Sequence, residues 1–126
     1  MRTVLYIFIS TFIISCTQIN NENFEVENQK LIDEYKYVTK NFVSENAHKL
    51  NDYQMVYSLD SIDQLFMIDK NKKLAEKFIN TEQGIKRLNY LKKYYRTDEI
   101  NLILKKVSPS QRINKDYIEI KNFNNK

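Results

Sequence analysis

The chain has 126 residues, a net charge of +4, and only one glycine, one proline, one histidine and one cysteine. A single cysteine excludes a disulfide within the chain, and a single histidine excludes a zinc site built on two or three histidines. A single glycine excludes glycine-rich phosphate loops. The scarcity of glycine and proline argues against a β-rich chain, because such chains usually have these residues in their turns.

The first sixteen residues have the pattern of an export signal. Arg2 is their only charge, and the eleven-residue run from Val4 to Ile14 is apolar at all but two positions. The run is shorter than the roughly 20 apolar residues that a helix needs to span a bilayer. We therefore predict that residues 1–15 are a signal peptide that is removed, and not a membrane anchor.

The end of this segment, Ile13-Ile14-Ser15-Cys16, resembles the lipobox of bacterial lipoproteins. That family usually has Leu where Ile13 stands and Gly or Ala where Ser15 stands. The resemblance implies that the Cys16 thiol receives a diacylglycerol through a thioether, and that cleavage before Cys16 frees an amine for a third acyl chain. The alternative is an ordinary cleaved signal in which Cys16 has no role. Lipid on Cys16 would place the protein on the cell membrane or outer membrane, facing the periplasm or the cell surface.

We predict that residues 16–23 are the lipidated cysteine and a polar tether, and that residues 24–108 form a helical domain. Apolar residues at 4-3-4 spacing predict a first helix over residues 25–47. Asn51 is a candidate N-cap for a short second helix that carries Tyr53, Val56 and Tyr57. Ser61 followed by Gln64, however, matches the capping-box pattern and marks a helix start more clearly. A break or bend is expected at the polar residues 70–73.

Two further helix starts are marked by threonine. Thr81 is predicted to cap a helix that carries Ile85, Leu88 and Leu91, and Thr97 begins a last helix that ends before Pro109.

The final segment, residues 109–126, is predicted to be extended. Tyr117 to Lys121 alternate between polar and apolar residues, with Ile118 and Ile120 on one side. One short strand cannot form a sheet, so the segment would lie across the bundle, pair outside the domain or form a tail. The sequence as a whole predicts an all-α fold, a small bundle of four or five helices with a short extended C-terminal segment. The composition also resembles that of small helical lipoproteins of spirochaetes.

Charge is distributed unevenly along the chain. Residues 17–69 carry four lysines against ten acidic residues, whereas residues 70–126 carry fifteen lysines and arginines against six. Such asymmetry is typical of proteins that bind an anionic partner, or of proteins whose acidic and basic halves are complementary to each other.

A basic and aromatic cluster near residue 90 is the strongest candidate for a binding site. Around Tyr90, Tyr94 and Tyr95 it places five cations that we predict as anion-binding residues, namely Lys86, Arg87, Lys92, Lys93 and Arg96. The alternative interpretation is a solvated helix face whose lysines balance the acidic first helix. Because an exported protein does not meet nucleic acid, we expect none as a partner.

The sequence offers no recognisable catalytic or metal-binding constellation. Glu45 and His48 have the Glu-x-x-His spacing of helical di-iron sites, but such sites use that motif twice and the chain has no second histidine. We therefore expect no enzyme activity, no cofactor and no metal. The predicted function is binding: a lipid-anchored helical module for an anionic ligand or for an envelope or host partner. The alternative is a periplasmic accessory or immunity-type lipoprotein that binds a cognate protein.

Overall fold

A computed structural model of the protein describes residues 19–125. Within that range the chain is helical and contains no β-strand, which confirms the predicted all-α bundle. The predicted signal peptide, Cys16 and Thr17 lie outside the described residues. No helix between residues 19 and 125 is both long enough and apolar enough to cross a membrane.

The first helix, α1, extends over Asn21–Asn46. Asn20 caps it, because its side-chain oxygen accepts a hydrogen bond from the backbone N–H of Asn23 at 2.8 Å. The helix therefore includes residues 21–23, which the sequence analysis assigned to the tether. Its 26 residues correspond to a length of about 39 Å at 1.5 Å per residue.

The second helical rod consists of three consecutive pieces: α2 at Asp52–Asp63, a π-helical segment at Gln64–Lys70, and α3 at Asn71–Lys77. The backbone stays in the right-handed helical region at both junctions, so of the predicted break or bend at residues 70–73 the break is wrong; the helix changes there from π-helical to α-helical. The rod begins at the capping box of Asn51 and Gln54.

The capping box predicted at Ser61 and Gln64 is therefore also wrong. Ser61 lies inside α2, and its hydroxyl donates a hydrogen bond to the carbonyl oxygen of Tyr57 at 3.0 Å. A serine can make this bond to the preceding turn within a helix, so its side chain is satisfied there without starting a new helix.

The α1 helix and the rod lie antiparallel along each other. In the contacts between them, the residue number decreases along α1 as it increases along the rod. The pairs are Tyr35 with Asp63, Glu34 with Lys70, Glu27 with Lys77, and Phe24 with Phe78. The two long elements form a hairpin whose turn lies at residues 47–50.

The remaining helices pack against one end of this hairpin, which we call its base. They are α4 at Glu82–Leu91, α5 at Thr97–Lys105 and α6 at Lys115–Asn124, with short 3₁₀ turns at Lys92–Tyr94 and Pro109–Gln111. Thr81 caps α4 by accepting a hydrogen bond from the Gly84 N–H at 3.1 Å, and α5 begins at Thr97, so both predicted starts are confirmed.

The C-terminal segment is a helix, which corrects the prediction that residues 109–126 are extended. Asn114 caps α6, Ile120 is fully buried in the core, and Tyr117 packs against the same cluster. Ile118 is 47% exposed, so the alternating residues do not share one face. The 3-residue spacing of Tyr117 and Ile120 determines the buried face, because residues three apart lie on the same side of a helix.

Most of the core lies at the base of the hairpin, and Phe66 of the π-helical segment is buried beside Tyr35 of α1. The main cluster of the core joins α3, α4, α5 and α6, and a smaller cluster of Phe24, Leu74 and Phe78 joins α1 to α3. The Phe24 and Phe78 rings meet edge to face with centroids 5.5 Å apart, a favoured aromatic geometry.

Candidate functional site

The hairpin projects beyond the core that holds its base. Among residues 25–65 no side chain is fully buried, although these residues form most of α1 and all of α2. From Tyr35 to the end of α1 the projection is about 18 Å long. We call residues 37–60 the hairpin tip.

The tip exposes several apolar and tyrosine side chains. On α2, Tyr53 is 80% exposed and Tyr57 is 66% exposed, and Val56 between them is also exposed. Their spacing of three and four residues aligns them on one helix face. Tyr37 and Val43 of α1 are exposed as well. An apolar, tyrosine-bearing stripe of this kind is typical of surfaces that bind proteins.

The five predicted anion-binding residues do not form one continuous patch. Lys86 is exposed on α4, whereas Arg87 turns into a groove against α1 and α3. Lys92 donates to the Asn89 side chain at 2.7 Å and lies near Phe123 of α6. Lys93 covers the Tyr94 ring, and Arg96 pairs with Asp98 at 2.6 Å. The structure thus brings together Lys86 and Arg87 alone, and anion binding by the five stays a prediction.

Two lysines of the rod pair with acidic residues of α1. Lys70 lies 2.5 Å from Glu34, and Lys77 lies 2.5 Å from Glu27. These pairs lie in a hollow of about 380 Å³ between α1 and α3. At least part of the charge asymmetry between the two halves of the chain is therefore internal complementarity, the second of the two interpretations that the sequence left open.

Arg87 is the half-buried centre of the groove between α1, the rod and α4. Its guanidinium donates hydrogen bonds to the Asn71 side chain and, at 2.9 Å, to the side-chain oxygen of Asn28, and it lies 5.5 Å from the Phe24 ring. Burial lowers the pKa of Arg87 from its ordinary value, and the negative charge of Glu25 opposes that shift. Arginine remains protonated in proteins nonetheless, so the groove contains a permanent positive charge.

The π-helical segment forms one wall of this groove. Its Phe66 carbonyl accepts a hydrogen bond from the Asn71 side chain at 2.7 Å, and the Asn71 oxygen accepts from Arg87. A single buried asparagine thus joins the wide turn of the rod to α4. Such π-helical turns occur frequently at functional sites.

Sequence reasoning missed Asn28 and Asn71, because an isolated asparagine in a helix carries no sequence signal for a long-range hydrogen bond. It also left Tyr53, Val56 and Tyr57 as ordinary residues of a short helix. Their 3-4 spacing was visible, but nothing in the sequence shows that no other helix covers this face of α2.

The remaining candidates for a metal site are Glu45 and His48. Glu45 lies in the last turn of α1 and His48 in the turn that follows, both exposed. Across the described stretch, no group of three or more His, Cys, Asp or Glu side chains is arranged to hold a metal ion.

Comparison with known proteins gives no relative for this chain. No protein-family model, curated protein or solved structure matches it.

Proposed function

We propose that this protein is a bacterial lipoprotein, anchored by acyl chains on Cys16, whose hairpin tip binds a partner protein. The observation that carries the proposal is the exposed stripe of Tyr53, Val56 and Tyr57 on a hairpin that lacks a buried residue over its outer length. Tyrosine is enriched at protein interfaces, where a few central side chains supply most of the binding free energy.

The direction of α1 supports this arrangement. The helix begins at the base of the bundle, five residues after Cys16. Five residues of fully extended chain span at most about 17 Å. The tip lies at the opposite end of α1. A lipid on Cys16 would therefore hold the base beside the membrane and direct the tip toward a partner at a distance from the bilayer.

The tip is tested by capturing its partner from envelope extracts. We expect Tyr53→Ser combined with Tyr57→Ser to lose a protein that the wild-type chain retains on a resin, because the substitutions remove the central aromatic contacts of the stripe. The captured proteins are compared by quantitative mass spectrometry.

Ile113→Ser is the matched control, since Ile113 is an equally exposed apolar residue (83%) in the connection before α6. Circular dichroism checks that all variants keep their helices. Identical sets of captured proteins from the wild-type chain, the tip variant and the control would contradict the proposal.

The anchor is tested by the mass of the protein isolated from membranes. We expect the N-terminal peptide to begin at Cys16 and to carry a diacylglycerol with or without a further acyl chain, and Cys16→Ser to release the protein into the soluble fraction. An unmodified Cys16 in the native protein would show that the membrane anchor is absent.

A periplasmic accessory protein remains the second candidate within this proposal, since a cognate protein in the envelope would fit the same stripe. Protease treatment of intact cells separates the two. A domain on the cell surface is removed by the protease, whereas a periplasmic domain is protected.

A further inference from the structure

Three neighbouring hollows share Arg87 in their lining, and we refer to them together as the groove. One of about 160 Å³ lies between α1 and the π-helical segment, one of about 250 Å³ between that segment and α4, and one of about 300 Å³ between α1 and α4. The two hollows beside the π-helical segment also share Met67 and Asn71.

The centre of the groove contains a positive charge without a carboxylate partner. Both hydrogen-bond acceptors of Arg87 are neutral side-chain amides, those of Asn28 and Asn71. In the described part of the chain no carboxylate lies within ion-pair distance of this guanidinium. Glu25 acts on it through space and lines the same hollow as the exposed Lys86. Arginine has five N–H donors, so three remain to meet an anion.

The two arms beside the π-helical segment are apolar. The arm toward α1 is lined by Leu31, Ile32, Tyr35 and Phe66, and the arm toward α4 by Ile68, Leu91 and Tyr94; Met67 lines both. Met67 is also half exposed. Methionine is flexible and polarizable, which suits a surface that adapts to an apolar chain.

We infer that this groove binds a long-chain carboxylate, with the carboxylate on the Arg87 guanidinium and the hydrocarbon chain along the Met67 arm. Charge complementarity selects the head group, because a half-buried guanidinium is stabilised by an anion that can form charge-assisted hydrogen bonds in the same low-dielectric site. The apolar arms select the chain. This ligand site is separate from the hairpin tip and does not depend on the proposed partner.

The site is tested by isothermal titration calorimetry on the full chain with Cys16→Ser, which cannot carry acyl groups of its own. The probes are octanoate, decanoate and dodecanoate, with acetate as a head group without a chain and dodecanol as a chain without a charge. We expect affinity to rise with each added CH₂, by up to about fourfold for a fully buried group. Acetate and dodecanol should each bind much more weakly than dodecanoate.

Two variants examine the two halves of the site. Arg87→Gln should weaken dodecanoate binding by about tenfold or more, since it removes a charge-assisted pair. Met67→Asn replaces an exposed side chain and should not unfold the bundle; we expect it to weaken dodecanoate binding by about fivefold while leaving acetate unaffected. Lys106→Gln is the matched control, because Lys106 is an exposed lysine that lines none of the three hollows, so its loss should leave binding unchanged.

Several outcomes would overturn the inference. One is affinity that does not depend on chain length, and another is equal binding of dodecanol and dodecanoate. A third is equal loss of dodecanoate affinity in Lys106→Gln and Arg87→Gln, which would indicate that diffuse charge, and not a site, binds the carboxylate. If Arg87→Gln fails to fold, the Met67→Asn result and the series of chain lengths decide the question.

Discussion

Gly84 occupies a position where a larger residue has no space. A Cβ atom built on it would lie 1.9 Å from the carbonyl oxygen of Phe78, which is a backbone atom and cannot move aside as a side chain can. The close approach allows the first turn of α4 to pack against the end of α3. The contact that requires glycine becomes visible only when the two helices are packed, so the sequence alone does not reveal it.

Tyr95 illustrates how burial determines the behaviour of a single residue. Its hydroxyl lies 3.3 Å from the carbonyl oxygen of Lys72 and 3.3 Å from the Glu76 carboxylate, and Lys72 lies over its ring. Burial, together with the negative charge of Glu76, raises the pKa of Tyr95 well above its ordinary value. The folded protein therefore favours the neutral phenol.

This shift predicts a loss of stability in alkali. In the unfolded chain the phenol ionises near pH 10, while the folded chain keeps Tyr95 protonated, so the stabilisation is complete below pH 10 and falls as the pH rises above it. We expect Tyr95→Phe to make the free energy of unfolding less dependent on pH between pH 9 and 11, measured by urea denaturation. Tyr94→Phe is the matched variant for loss of a phenol. An unchanged pH dependence in Tyr95→Phe would show that Tyr95 is not responsible.

At the scale of the element, helix starts were predictable where a polar cap precedes an apolar stripe. Thr81 satisfies that condition as the cap of α4, whereas Thr97 marks the first residue of α5, whose cap is Arg96. Ser61 has the same local pattern but lies within a helix that Asn51 has already started. A capping box is a local signal, and it does not show whether the preceding residues are already helical.

The π-helical segment and α6 were beyond sequence reasoning for a different reason. The wide turn at Gln64–Lys70 is accompanied by a buried hydrogen bond from Asn71, and α6 is held by burial of Ile120 against α4 and α5. Both depend on tertiary packing. Packing overrides the alternation of a short segment, because the local preference of five residues is small compared with the burial of a whole side chain.

The helical assignment of the C-terminal segment makes a direct prediction. Ile120→Ala should lower the free energy of unfolding by about 2–5 kcal/mol, since it leaves a cavity in the core. Ile118→Ala, two residues away and 47% exposed, should change it by about 0.5 kcal/mol or less. The measurement is urea denaturation followed by circular dichroism. Equal and small effects of the two substitutions would be consistent with an extended tail and would contradict α6.

At the scale of the whole molecule, contacts within the hairpin explain part of the charge asymmetry of the sequence. Two acidic residues of α1 pair with two lysines of the rod along the antiparallel hairpin, Glu27 with Lys77 and Glu34 with Lys70. Such exposed pairs contribute little to stability, typically about 0–1 kcal/mol each. Their electrostatic complementarity is consistent with the alignment of two helices that share few buried side chains.

The candidate sites were only partly predictable from the sequence. The basic cluster led to Lys86 and Arg87, but the groove around Arg87 needs residues from three helices that are far apart in the sequence. The hairpin tip was not foreseen, because its exposed stripe has the same 3-4 spacing as a buried one. What distinguishes the two is the absence of a covering helix, which is a property of the complete fold.

The proposed binding of a partner protein by the hairpin tip is tested by photo-crosslinking in cells that express the protein. A photoreactive amino acid is placed at Tyr57 on the tip, or at Ile113 as an equally accessible control. We predict a discrete crosslinked species from position 57 that is absent from position 113. The same pattern of crosslinks from both positions, or no crosslink from position 57, would contradict the claim.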